Sequence, residues 1–197
     1  MPKSTSHLAT LVGSRICHDL ISPIGAIHNG LELLELSGQL NNSPEMQLIA
    51  ESCQNARARV MFFRTAFGMS QGSQIVSAKA LMAMIDPLYQ GRISVTYLGN
   101  DDMERIRAQC ILLAILCLDC ALPQGGNIEI YGDDARCVLT ATSLSLCWDD
   151  HLWRRLEPKE DASDIAPSQV QFLMLHALSD GGKRQVSHDD TSITLSF

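Results

Sequence analysis

The chain has 197 residues, 46% of them apolar, and a formal net charge of −7, enough for one large domain or two small ones with real cores. No apolar run approaches the roughly 20 residues that span a bilayer, and the opening MPKSTSHLATL lacks the long apolar stretch of a signal peptide, so a cytoplasmic protein without membrane contact is expected. Residues 1–72 balance five basic side chains (Lys3, Arg15, Arg57, Arg59, Arg64) against five acidic ones (Asp19, Glu32, Glu35, Glu45, Glu51); the excess negative charge lies in residues 73–197, where it repels phosphate backbones and disfavours nucleic-acid partners.

Over residues 6–37, apolar side chains recur at spacings of three and four, as Cys17, Leu20, Ile24, Ile27, Leu31 and Leu34. That is a helix seam. In the following SGQLNNSP, Gly38 suits a helix C-terminus, and Ser43 with Pro44 suits the N-cap and first position of the next helix. The second helix, residues 44–68, repeats the pattern with Ile49, Cys53, Ala56, Val60, Phe63 and Phe67. Two helices alone bury too little, whereas two copies of the hairpin make a four-helix bundle, so residues 1–72 predict an all-α dimerisation hairpin and a homodimer.

After GMSQGSQ the texture becomes α+β, and residues 73–197 are read as a second module. The spacing predicts a helix over 77–89, a strand at RISVTYL, and a buried, nearly all-apolar helix over 103–122. The PQGG turn leads into strands NIEIYG and RCVLTAT; a helix near 169–178 and a closing hairpin of 184–188 with 192–197 follow. This order points to helices on one face of a mainly antiparallel sheet. The seven cysteines sit mostly in apolar runs and are read as reduced core residues. Cys117 and Cys120 form a C-x-x-C without a second ligand pair, which favours packing over zinc.

His18 can now be placed. At 100° per residue the seam centres about 200° away from it, so its side chain points away from the core. Ser14, Arg15, Ser22, Gly25 and Asn29 fall within roughly 60° of it on the wheel, a small and polar face on which a partner can dock. Pro23 cannot bond the carbonyl of Asp19, so the helix is expected to bend or loosen one turn on. An imidazole of this kind suits nucleophilic phosphoryl transfer, with Asp19 fixing the tautomer.

CHDLISPIGAIHNGLELL resembles the phospho-acceptor helix of histidine-kinase dimerisation domains and, more closely, that of the ChpT family of bacterial histidine phosphotransferases from alphaproteobacterial phosphorelays. ALPQGGNIEI, PSQVQFLMLHAL and the last hairpin resemble that family's second module, a degenerate relative of the kinase ATP-binding domain. The resemblance covers nearly the whole chain. It implies that His18 is the phosphorylated histidine and Asp19 its acidic neighbour, with Arg15, Ser22 and Pro23 in the docking turn. It also implies transfer between aspartates of receiver domains, from the receiver of a hybrid kinase to downstream response regulators. No cofactor is implied on this chain; the Mg2+ belongs to the receiver.

The second module departs from a working kinase. Aligned on PQGG, a working kinase domain would show asparagines that hold the nucleotide's metal near Leu113 and Cys117, and neither is present. The Asp-x-Gly-x-Gly and glycine-rich lid expected after RCVLTAT are replaced by SLSLCWDDHLWRRLEPKED. ATP binding is therefore not expected. Arg57, Arg59 and Arg64 on the second helix are read as solvated charges, of which Arg57 and Arg64 are candidate contacts for a receiver's acidic pocket. His28 is read as a packing histidine at the core edge and His176 as a satisfied core histidine. Asp149, Asp150, Asp189 and Asp190 are read as solvated acids, and Trp148 with Trp153 as a partner patch or the burial of a short helix. Besides the phosphotransferase, two readings stay open: a non-catalytic dimeric adaptor for receiver or kinase domains, and an ATP-dependent kinase with unrecognised contacts.

Overall fold

The computed structural model describes residues 3–37, 44–68, 74–99, 102–133, 136–156, 165–178 and 184–197. Helix α1, Lys3–Ser37, and helix α2, Pro44–Ala66, form the expected hairpin. The cap residues Gly38 and Ser43 lie outside the described residues. α1 continues through Pro23, which is buried. The helices approach closely at Gly30, where an added Cβ would stand 2.5 Å from Cγ1 of Ile49. No helix among the described residues is long and apolar enough to cross a membrane.

The hairpin covers its apolar stripe only in part. Leu11, Leu34, Phe62, Phe63 and Ala66 are buried, whereas Ile21, Ile24, Leu31 and Leu36 on α1 and Met46, Leu48, Val60 and Met61 on α2 are exposed, Ile24 at 56% and Leu31 at 48%. Two helices offer one contact line each, so the residues flanking that line stay in water unless something else covers them.

The remaining elements are β1 Ile75–Ser77, α3 Ala78–Tyr89, β2 Ile93–Tyr97, β3 Asp102–Glu104, α4 Arg105–Cys120, β4 Gly126–Gly132, β5 Cys137–Thr142, α5 Asp150–Trp153, α6 Val170–Leu178, β6 Gln185–His188 and β7 Ser192–Ser196. A short 3-10 turn, Pro167–Gln169, leads into α6. Five strands form one sheet in the order β2-β4-β5-β7-β6. Only the β2–β4 pair is parallel, with Val95 beside Ile128; the other three are antiparallel. In β4, Ile128 and Ile130 are fully buried and Glu129 and Tyr131 are exposed, the alternation of a sheet with one face covered and one in water.

α4 is the cover. Every residue from Ala108 to Leu118 is buried, because the helix packs against β5, α6 and α2 at once. β1 and β3 form a separate two-stranded sheet, Val76 opposite Met103. Met103 therefore does not begin α4, as the apolar run suggested, but is drawn into a ladder by a segment 27 residues earlier in the chain.

α2 is fastened to this sandwich at its C-terminus. Phe62, Phe63 and Ala66 belong to the same core as α3 and α4. The Gln109 amide, 1% exposed, donates to the carbonyls of Ala66 and Gly68 at 2.9 Å each. Carbonyls that end a helix have no partner within it, so a buried amide here satisfies them and ties the two parts together.

The PQGG turn shapes the start of β4. Gly125 has φ +87°, and an added Cβ would lie 2.2 Å from the Arg92 carbonyl oxygen. Gly125→Ala is expected to destabilise the protein by about 1–3 kcal/mol through backbone strain, which lowers the thermal midpoint by roughly 2–12 °C at this size. A midpoint equal to wild type in thermal unfolding would mean that this turn re-forms without φ > 0.

Candidate functional site

His18 lies near the middle of α1, and its side chain is 86% exposed. The orientation expected from the helical wheel is the one observed. Its Nδ1 lies 3.0 Å from Oδ1 of Asp19. A carboxylate only accepts, so this contact places a proton on Nδ1 and, in the neutral ring, leaves the lone pair on Nε2, on the far side.

Asp19 is bound on both oxygens. Oδ2 accepts from Nε of Arg15 at 2.7 Å, and NH1 of Arg15 donates to the main-chain carbonyl of Ser168 at 2.6 Å. Arg15 and Asp19 are mostly covered, at 15% and 12% exposure. His18 and Arg15 on the hairpin and Pro167 and Ser168 on the sandwich line one cleft of about 240 Å³. That is below the ~300–1,000 Å³ of small-molecule sites, so it suits a surface contact better than an enclosed ligand.

The other residues predicted for this face are placed as follows. Ser22, Gly25 and Asn29 are exposed on α1; the side chain of Ser14 lies outside the described residues. Arg57 and Arg64 are exposed on α2 and Arg59 is half-buried. With Gly30 against Ile49, counting twelve residues back along α1 and twelve forward along α2 sets His18 level with Met61. Arg64 and Arg57 therefore stand about one turn to either side of that level. Pro167 and Ser168 were missed by sequence reasoning, because the contact they make runs through a backbone carbonyl and has no side-chain signature.

Several minor readings change. His28 is not packed at a core edge: it is 71% exposed and faces Glu32 at 3.5 Å. Of the cysteines, only Cys110, Cys117 and Cys137 are buried; Cys17, Cys53, Cys120 and Cys147 are exposed. Burial pushes the Cys110 thiol up to about 11 and that of Cys137 to about 12, which keeps them protonated and unreactive at neutral pH. Cys117 is fully buried and its C-x-x-C partner Cys120 is not, and among the described residues no group of three or more His, Cys, Asp or Glu can hold a metal. His176 is satisfied, its Nδ1 3.3 Å from the Leu156 carbonyl.

Three of the four acids, Asp149, Asp150 and Asp189, make hydrogen bonds that shape the local structure. Asp149 caps α5, accepting from the amides of His151 and Leu152. Asp150 accepts from the indole of Trp148. Asp189 closes the β6–β7 turn by accepting from Thr191 and Ser192, and these hydrogen bonds hold its carboxyl down at about 2. Trp148 stacks between Trp153 and His188, and Trp153, 4% exposed, packs edge-on against Phe172. Leu113 and Cys117 are both completely buried.

Fold and site together define a class of protein: a helical hairpin that bears an outward histidine backed by a carboxylate, fastened to a mixed sheet covered by helices on one face. The chain belongs to the histidine phosphotransferase family, whose C-terminal domain matches residues 78–192. It is 38% identical over 130 residues to the protein phosphotransferase ChpT of Brucella abortus (strain 2308), an alignment covering 64% of this chain and 61% of that protein. A solved bacterial phosphotransferase superposes with TM-score 0.80 at 29% identity, over 100% of this chain and 98% of the other. The Acinetobacter baumannii histidine kinase AdeS aligns at TM-score 0.43 and 12% identity, covering 91% of this chain and 96% of that one, too distant to bear on the site.

Proposed function

We propose that this chain relays a phosphoryl group between receiver-domain aspartates through a phosphohistidine at His18, without ATP. The observation that carries the reading is the exposed imidazole whose inner nitrogen is held by Asp19. The Nε2 lone pair forms the N–P bond as the P–O bond to the donor receiver's aspartate breaks, and the released carboxylate keeps that electron pair. The ring then carries positive charge, which Asp19 offsets by accepting from Nδ1–H. Attack on phosphorus by the aspartate of a second receiver reverses the bond changes. The Mg2+ that neutralises the phosphoryl oxygens is held by the receiver's acidic pocket.

Ser22, Gly25 and Asn29 leave room for a receiver above His18, and the Pro167–Ser168 turn borders its path, which gives the second module a docking role. Arg57 and Arg64 are suited to the rim of an acidic pocket, where charge steers approach more than it adds affinity. Incubating the protein with a phosphorylated receiver and no ATP is the test. An acid-labile, base-stable label on wild type and none on His18→Ala supports the relay; a stable complex with no label on either supports the adaptor.

The half-covered stripe supports a homodimer through a four-helix bundle. Placing an unpaired charge in a buried interface costs about 3–5 kcal/mol, more than a hundredfold in affinity at ~1.4 kcal/mol per factor of ten. Ile24→Glu together with Leu31→Glu is therefore expected to convert dimer to monomer in sedimentation velocity. A variant that still sediments as wild type would place the interface elsewhere.

A further inference from the structure

Neighbouring residues on a helix diverge by about 100°, so His18 and Asp19 do not naturally face each other. Their hydrogen bond needs the carboxylate to be drawn sideways and held. Arg15, four residues before Asp19, is on the right face to do so, and its fork is engaged at both ends: Nε on Asp19 and NH1 on the carbonyl of Ser168, which lies 153 residues away in the sandwich. We propose that Arg15 is a positioning residue, through which the C-terminal module sets the carboxylate of Asp19 and hence the tautomer and orientation of His18. The inference rests on the reading of His18 as phosphoryl carrier.

Burial separates this role from receiver docking. The Arg15 side chain is 15% exposed and the neighbouring His18 side chain 86%, so the imidazole is much the more open of the two to an incoming phosphoryl group. Arg15 also lines a second cleft, with Asp119, Asp149, Ser168 and Gln169, so its stem lies between the hairpin and the sandwich. The Ser168 carbonyl is itself placed by the short turn that opens at Pro167, where the Gln169 amide N–H donates to the Ala166 carbonyl at 2.9 Å. A planar fork spans two acceptors at fixed geometry, which an ammonium group does not.

Two variants of the full chain and two readouts test this. With a phosphorylated receiver as donor, Arg15→Gln is expected to lower the transfer rate at saturation by roughly 10- to 100-fold, the usual effect of an ångström of misplacement, while the half-saturating receiver concentration stays within about twofold. Nitrogen-15 NMR of the His18 ring is expected to show mainly Nδ1–H in wild type and a mixture of tautomers in the variant. Arg15→Lys, which keeps charge and stem and so guards against loss of fold, is expected to move both readouts the same way. A raised half-saturating concentration at unchanged maximal rate would make Arg15 a docking contact, and unchanged rate and ring shifts would make the ion pair passive; either overturns the proposal. If wild type takes no label, the relay reading fails, and unchanged ring shifts in the two variants overturn the positioning role independently.

Discussion

Replacing His18 by alanine is expected to reduce receiver-to-receiver transfer to background while leaving fold and complex intact. The chemistry needs a nitrogen lone pair that attacks phosphorus and then tolerates positive charge, and alanine supplies neither. The structure makes the expectation sharp on the stability side as well. A side chain 86% exposed contributes little to packing, so the change stays within about ±0.5 kcal/mol, roughly 1–2 °C in thermal midpoint. A transfer assay with labelled receiver, run beside thermal unfolding and receiver binding, separates the outcomes. Wild-type rates in the alanine variant would remove His18 from the mechanism; loss of binding together with transfer would make the imidazole a docking contact first.

The second large effect concerns the two α4 positions at which a kinase-type domain would carry asparagine. Leu113→Asn and Cys117→Asn restore the residue type that would hold a nucleotide's metal, yet both positions are fully enclosed within α4. For Leu113→Asn, about 1.5–3 kcal/mol of apolar burial is lost, and an amide without a partner costs about 1–3 kcal/mol more. The sum is roughly 3–6 kcal/mol, or about 6–24 °C in thermal midpoint. We expect both variants to unfold earlier than wild type and to show no thermal shift with ATP and Mg2+. A nucleotide-dependent rise in midpoint would mean that the sandwich retains a usable phosphate cradle.

Elements read well from the sequence where one local force dominated. The hairpin helices follow from spacings of three and four, the strands of the large sheet from alternation, and the outward direction of His18 from the same wheel that defines the seam. Reading failed where a distant partner decided the matter. Met103 sits in an apolar run that suits a helix, but pairing with Val76 makes it a strand. Apolar neighbours suggest a core position for the cysteines, yet Cys17 and Cys120 lie on helix faces that meet water. His28 shares α1 with the seam, but the single hairpin leaves it exposed.

The site divides in the same way. Arg15 was legible as a residue near His18, and its pairing with Asp19 follows from a spacing of four. Its second partner was not legible, since Ser168 contributes only a carbonyl that every residue possesses. Gln109 was missed for a related reason: a polar residue opening an apolar helix gives no hint that it will cap the end of another helix 43 residues earlier in the chain.

The sequence by itself determined the helical hairpin, the one-faced sheet, the outward histidine beside a carboxylate, and the absence of asparagine at the two positions in α4. These are set by periodicity and residue type, which act over one or two turns of chain. Only the tertiary structure decided that the sandwich contacts Arg15 through the Ser168 carbonyl, that the end of α2 is buried in the sandwich core, and that part of the hairpin's apolar stripe is left uncovered within one chain. Contacts between segments far apart in sequence depend on how whole elements pack, and a backbone carbonyl or an enclosed amide carries no local pattern that announces its partner.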